Sequence, residues 1–130
     1  MRRRIDPGQG MELVRSFADG SVLSDAEHRL AVRFVLEEFG SRHPGRSVEI
    51  RVPWIGAVQA IAGPVHTRGT PANVVELGGD TLLCLAVGKE VESSSITYSG
   101  TRADLSQYFP LFDTGQLTGD KPGRARGKSR

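Results

Sequence analysis

Residues 48–62 read VEIRVPWIGAVQAIA, and this stretch decides the fold. From Val48 to Val52 apolar and charged residues alternate, a period of two that is typical of a strand with one buried face. The residues Pro53-Trp54-Ile55-Gly56 then predict a turn, and residues 57–62 predict a returning strand. The stretch therefore predicts a β-hairpin with one face against a core.

Two helices are predicted before this hairpin. Asp6 and Pro7 are an N-cap and a first-turn proline for a short helix that stops by Gly20. Ser24 and Glu27 have the spacing of a capping box, and apolar residues at intervals of three and four follow them. We expect this second helix to end at Gly40, because glycine adopts the left-handed C-terminal conformation at little cost.

The chain beyond the hairpin predicts further short elements. In order they are a strand at residues 73–77, a helix capped by Asp80 or Thr81 and stopped by Gly88, a strand at residues 95–99, and a helix opened by Thr101 and Asp104 and ended by Pro110. The order predicts an α+β fold, with a mainly antiparallel sheet of four to five strands and helices packed on one face.

The charges divide the 130-residue chain into three parts. The net charge is +2, yet residues 24–112 carry eight Lys and Arg against ten Asp and Glu, and residues 113–130 carry five against two. We expect an N-terminal helical lead-in at residues 1–23, a domain at residues 24–112, and a basic, disordered tail at residues 113–130. Because the basic charge lies at the ends, it predicts no specific nucleic-acid partner.

The sequence offers no catalytic or metal-binding pattern. A single cysteine, Cys84, excludes an intramolecular disulfide, and its apolar neighbours indicate a structural thiol. His28, His43 and His66 are scattered without ligand spacing, so we expect no metal and no cofactor. No general acid, base or nucleophile stands out, and no apolar run approaches the length of a membrane span. We expect a cytoplasmic protein without catalytic residues, and an enzyme is the weakest of the function classes that the sequence leaves open.

Several motifs carry a resemblance to a known family. They are RSVEIRVP at 46–53, GAVQ at 56–59, GPVHTRGTPANVVE at 63–76, DTL at 80–82, AVG at 86–88, SGTRADL at 99–105 and PLF at 110–112. Over residues 24–112 the chain resembles the bacterial, actinobacterial sterol-carrier-protein-like family. The resemblance implies an α+β sandwich that encloses an apolar cavity for a lipid-like ligand (a fatty acid, an acyl-CoA, or an isoprenoid or sterol), with no shared catalytic residue set.

Inward-facing strand and helix positions predict the lining of such a cavity. They are Val58, Ala60, Val75, Leu82, Leu85, Tyr98, Leu105, Phe109 and Phe112. The polar loop at residues 66–70 could contact an anionic head group through Arg68 and His66, since a guanidinium forks onto carboxylates and phosphates. An ion pair between Arg68 and an acidic neighbour is the alternative.

A second interpretation of the same residues needs no ligand. Apolar residues at these spacings also fill an ordinary core, and Trp54 with Ile55 could form the surface of a homodimer or an accessory module. Residues 89–95 are too short and polar for the additional helix that sterol carrier domains usually have there. The cavity is therefore expected to be either more open at this point or missing.

Overall fold

The computed structural model describes residues 4–64, 73–100 and 104–118. The elements in these residues are α1 (Pro7–Ala18), α2 (Asp25–Arg42), β1 (Val48–Val52), β2 (Gly56–Ala60), β3 (Asn73–Leu77), α3 (Gly79–Val87), a 3₁₀ turn (Ser93–Ser95), β4 (Ile96–Ser99), a second 3₁₀ turn (Ser106–Tyr108) and α4 (Thr114–Thr118). Helices and one four-stranded sheet confirm the α+β prediction.

The caps of the first two helices are those that the sequence predicts. The Asp6 carboxylate accepts a hydrogen bond from the Gln9 backbone N–H at 2.9 Å. At α2 the Ser24 hydroxyl accepts from the Glu27 N–H at 3.1 Å, and the Glu27 carboxylate accepts from the Ser24 N–H at 2.9 Å. These reciprocal bonds satisfy amides that have no partner inside a helix.

The prediction that α2 ends at Gly40 is wrong. Gly40 is buried within the helix, which continues to Arg42, where the guanidinium Nε lies 2.8 Å from the Glu38 carboxylate. A glycine inside a helix costs only about 1 kcal/mol, which tertiary packing outweighs. His43 follows the helix as its C-cap and precedes Pro44, and proline disfavours helical backbone in the residue before it.

The sheet has the strand order β2-β1-β3-β4 and is mixed. Strands β1 and β2 are antiparallel, β3 and β4 are antiparallel, and β1 and β3 are parallel. Ala60 at the end of β2 and Asn73 at the start of β3 both pair with Val48. Strand β3 therefore starts at the amino end of β1, runs parallel to it, and separates β1 from β4.

One face of the sheet is buried by the helices. Its buried apolar strand residues are Val48, Ile50, Val52, Val58, Ala60, Val75 and Leu77. Helix α2 packs on this face, and Phe34 of α2 stacks on Phe112 with ring centroids 6.1 Å apart. Helix α1 packs on α2 and α3, so the predicted lead-in is built into the core through the fully buried Val14.

Several boundaries differ from those predicted. Strand β2 ends at Ala60, strand β4 begins at Ile96, and α3 begins at Gly79 with Gly78 as an N-cap that has no side-chain hydrogen bond. Short elements are bounded by tertiary contacts as much as by local signals.

The final predicted helix is reduced to the Ser106–Tyr108 turn within the described residues. The Leu111 and Phe112 N–H groups bond to the Ala86 carbonyl at 2.9 and 3.1 Å, which holds the segment across the end of α3. Helix α4 lies within the stretch predicted to be a disordered tail, and Arg15 of α1 donates to the Gln116 carbonyl at 2.7 Å. Residues 119–130 lie outside the described residues.

Candidate functional site

An apolar groove of about 210 Å³ lies between the sheet and α3. The sheet contributes Ile50, Val75, Leu77, Ile96 and Tyr98, helix α3 contributes Leu82 and Leu85, and the segments after α3 and β4 contribute Val91, Ser93, Leu105, Ser106 and Phe109. Nine of these twelve residues have wholly apolar side chains, so the groove favours a hydrophobic occupant.

Close packing against α2 positions the start of α3. A Cβ added to Gly79 would lie 2.4 Å from His28 Cε1 and 3.0 Å from Val32 Cγ2, so glycine allows this approach without moving the His28 ring. His28 Nε2 also lies 2.9 Å from the Asp80 carboxylate. The two contacts place the first turn of α3 over the carboxyl end of β3.

The end of α3 directs the next segment back to the groove. Gly88 has a φ of 85°, a left-handed conformation that glycine adopts without strain. The Lys89 N–H then donates to the Cys84 carbonyl at 2.8 Å, which completes the helix stop. The chain reverses here and brings Val91 and Ser93 to the groove.

Another wall of the groove comes from the segment after β4. The hydrogen bonds from Leu111 and Phe112 to Ala86 tie this segment to α3. Leu105 is buried and Phe109 half-buried, and both line the groove. The groove is therefore lined by the sheet and α3, and also by the segments that follow α3 and β4, which contain only short 3₁₀ turns.

The polar atoms of the groove belong to Ser93, Ser106 and Tyr98, all of which are exposed. Tyr98 is 48% exposed, so its hydroxyl can meet both solvent and a bound molecule. Hydrogen bonds from the Ser106 backbone N–H and then from its hydroxyl hold the pKa of Asp104 below its usual range. The groove is thus apolar inside, with neutral hydroxyl groups and one nearby carboxylate at its exposed rim.

The titratable groups outside the groove form no reactive cluster in the described chain. Burial raises the pKa of the Cys84 thiol, which favours its protonated form, although nearby Lys89 acts in the opposite direction. Burial, followed by the charge of Arg42, lowers the pKa of His43. Among the described residues, no three His, Cys, Asp or Glu side chains come close enough to hold a metal ion.

The family described as bacterial SCP ortholog matches residues 24–111, more than half of the chain. The chain belongs to this bacterial sterol-carrier-protein-like family. The match covers the sheet, α2, α3 and every lining residue of the groove, whereas α1 and α4 lie outside it. No curated protein matches the chain. In the described residues, no helix is both long and apolar enough to cross a membrane.

In this sterol-carrier-like chain, six of the nine residues expected to line the cavity do line the groove. They are Val75, Leu82, Leu85, Tyr98, Leu105 and Phe109. Val58 and Ala60 do not, because strand β2 lies at the far side of β1 and is covered by α2. Phe112 is 1% exposed and stacks on Phe34, so it belongs to the core.

Six further lining residues were missed as members of the site. Three of them, Ile50, Leu77 and Ile96, are strand residues, and the pairing of β3 with β1 and with β4 brings them beside the groove. Val91 carried a usable signal, since it is the one apolar residue in the polar segment 89–95. Ser93 and Ser106 carried no such signal. His66 and Arg68 lie outside the described residues.

Proposed function

We propose that the chain is a non-catalytic binding domain for a hydrophobic, lipid-like ligand of the fatty acyl, acyl-CoA or isoprenoid and sterol type. The supporting observation is the groove between the sheet and α3, with nine wholly apolar lining residues and neutral hydroxyl groups at its rim. A site of this kind binds by removing apolar surface from water and offers little to a polar substrate.

The size of the groove limits how much of a ligand it encloses. Its volume of about 210 Å³ is below the range of about 300–1,000 Å³ found for sites that hold drug-sized ligands. The groove therefore suits a short apolar chain or one end of a longer ligand. At about 0.8 kcal/mol for each buried methylene group, burial of eight carbons contributes about 6 kcal/mol to binding. This free energy corresponds to a dissociation constant in the micromolar range, so the binding assay should cover micromolar ligand concentrations.

Binding is tested with a fluorescent fatty acid and with native mass spectrometry of the purified protein. Ser93→Phe places a ring at the rim of the groove without disturbing the core, because Ser93 is exposed. We expect the variant to lose about tenfold or more in affinity for the probe, since the ring competes for the apolar surface of the groove.

Ser95→Phe is the matched control, because Ser95 is exposed in the same 3₁₀ turn and does not line the groove. Its affinity should equal that of the unmodified chain. Equal affinity of the Ser93→Phe variant, or no binding and no co-purified ligand at all, contradicts the proposal.

Contact between an anionic head group and His66 or Arg68 stays a prediction. Arg68→Ala should weaken binding of a fatty acid and leave the fatty alcohol of equal chain length unaffected, since only the carboxylate gains from the guanidinium. An equal effect on both ligands contradicts it. The cytoplasmic location and the lack of a specific nucleic-acid partner also stay predictions.

The alternative function is a structural or protein-interaction module that acts as a homodimer or an accessory domain. The observation in its favour is Trp54, which is 94% exposed at the β1–β2 turn next to the half-buried Ile55. Light scattering should then show a concentration-dependent size that Trp54→Ala abolishes. A monomer at all concentrations contradicts the homodimer.

A further inference from the structure

Trp54 contributes nothing to the core of the described structure. It is the sole tryptophan of the chain, and its side chain is 94% exposed at the turn between β1 and β2. Tryptophan is the largest apolar side chain and buries 150–250 Å² when it is packed. Its full exposure therefore needs a reason outside the packing of this domain.

The turn itself does not favour a tryptophan either. The Ile55 N–H donates to the Val52 carbonyl at 3.1 Å, which closes a four-residue turn with Pro53 and Trp54 at its centre. Trp54 has a φ of 70°. A positive φ at the third position of a turn favours glycine, and a bulky residue there is strained. Trp54 therefore strains the local backbone and does not pack in the core.

Two arginines of α2 donate hydrogen bonds to the backbone of this turn. Arg29 Nη1 donates to the Trp54 carbonyl at 2.9 Å, and Arg33 Nε donates to the Ile55 carbonyl at 3.4 Å. Both side chains come from exposed positions of α2. Within the described part of the chain, neither guanidinium forms an ion pair with a carboxylate. Two positive charges therefore lie against the backbone of the turn that carries the exposed indole.

The hairpin tip, residues 53–55, lies at the same end of the sheet as one end of the groove. It follows the carboxyl end of β1, which pairs in parallel with β3, and Leu77 at the carboxyl end of β3 pairs with Ile96 at the start of β4. Leu77 and Ile96 both line the groove, as does Ser93 just before β4. A surface that binds the tip would therefore also lie close to the Ser93 end of the groove.

We propose that the hairpin tip docks on a phospholipid bilayer, with Trp54 inserted at the interface and Arg29 and Arg33 bound to lipid phosphates. Tryptophan favours the boundary between the hydrocarbon and head-group regions of a bilayer. Guanidinium groups form forked hydrogen bonds with phosphates, which all common phospholipids carry. This membrane contact is separate from ligand binding in the groove. It would orient the Ser93 end of the groove towards the membrane.

The single tryptophan makes the proposal directly measurable. The probe is a vesicle of equimolar phosphatidylcholine and phosphatidylglycerol, and the readouts are Trp54 emission and co-sedimentation of the full chain. We expect a blue shift of the emission and quenching by brominated lipids, because the indole leaves water for the interface. Trp54→Gly should lower vesicle binding about tenfold or more while its melting temperature is equal or higher, since glycine relieves the strained turn.

A matched pair of variants tests the charges. Arg29→Gln should lower vesicle binding about fivefold, as expected for one cation at an anionic membrane surface. Arg46→Gln removes the same charge just before the amino end of β1, at the opposite end of that strand, and should have no effect. Ser93→Phe should lose groove binding yet bind vesicles at least as tightly as the unmodified chain, because the added ring lies at the end of the groove that faces the bilayer. Failure of groove binding and failure of membrane docking are therefore distinguishable.

Any one of three results overturns the proposal. The first is an emission spectrum that vesicles do not change, and the second is vesicle binding by Trp54→Gly equal to that of the unmodified chain. The third is a blue shift that appears with protein concentration in the absence of lipid, together with a dimer in sedimentation. That result assigns the tip to a second copy of the chain instead.

Discussion

At the scale of single residues, glycines set how closely the helices pack. A Cβ added to Gly10 of α1 would lie 2.3 Å from Cγ of the Phe34 ring, a distance at which atoms overlap. Gly88 has the left-handed conformation that the sequence predicts for a helix stop. The sequence predicts the same role for Gly40, which lies inside α2 instead. A glycine that caps a helix and a glycine that admits a neighbouring ring look alike in sequence, because only the neighbour distinguishes them.

We predict that Gly10→Ala lowers the free energy of unfolding by about 1–3 kcal/mol, measured by urea denaturation. The added methyl overlaps the Phe34 ring, and overpacking of this kind outweighs the better helix propensity of alanine. Gly115→Ala is the control, since its nearest atom, an oxygen of the Asp113 carboxylate, would be 3.5 Å away. It should leave stability unchanged or raise it. A Gly10→Ala variant as stable as the control contradicts the close packing of α1 on α2.

At the scale of elements, local sequence signals predict which segments form helices and strands more accurately than they predict where those elements end. The capping box defines the start of α2, but its C-terminal end depends on Pro44 and on the burial of Phe39 and Gly40. The His43 ring at this end lies 5.0 Å from Phe39 and 4.7 Å from Tyr108, measured between ring centroids. Tyr108 comes from a segment 65 residues further along the chain, so no local pattern could have predicted this environment.

The position of His43 predicts a pH dependence of stability. Burial and the charge of Arg42 hold the pKa of His43 below its ordinary value of 6.5, so the unfolded chain takes up this proton more readily than the folded protein. The contribution to stability is full above pH 6.5 and is lost as the pH falls towards the folded pKa. Urea denaturation between about pH 5 and 7.5 should show this loss, and His43→Phe should reduce it. An unchanged slope in the variant contradicts the assignment.

At the scale of the whole molecule, the domain extends beyond the family match. Residues 24–111 match the family, yet α1 lies outside them and contributes Val14 to the core with no exposed surface. Helix α4 adds a contact through the carbonyl of Gln116, which accepts from Arg15 of α1. In the described chain α1 therefore packs on α2 and α3, and α4 packs on α1, so we predict that both helices unfold together with residues 24–111.

A pair of valines tests this unity. Val14→Ala should lower the free energy of unfolding of the full chain by about 2 kcal/mol, because it removes buried methyl groups and leaves a cavity. Val22→Ala removes the same atoms from a side chain that is 94% exposed and should change stability by less than about 0.5 kcal/mol. Equal effects in urea denaturation would show that α1 is not part of the cooperative unit.

The sequence by itself determined the α+β class, the starts of α1 and α2, the strands β1 and β3, and six residues of the groove. These features depend on local periodicity and helix capping, which are determined by residues close together in the sequence. Only the tertiary structure decided that β3 lies between β1 and β4, which excludes Val58 and Ala60 from the groove and brings in Ile50 and Leu77. Periodicity shows which face of a strand is buried, whereas strand order and the packing of α1 and Phe112 depend on contacts between distant parts of the chain.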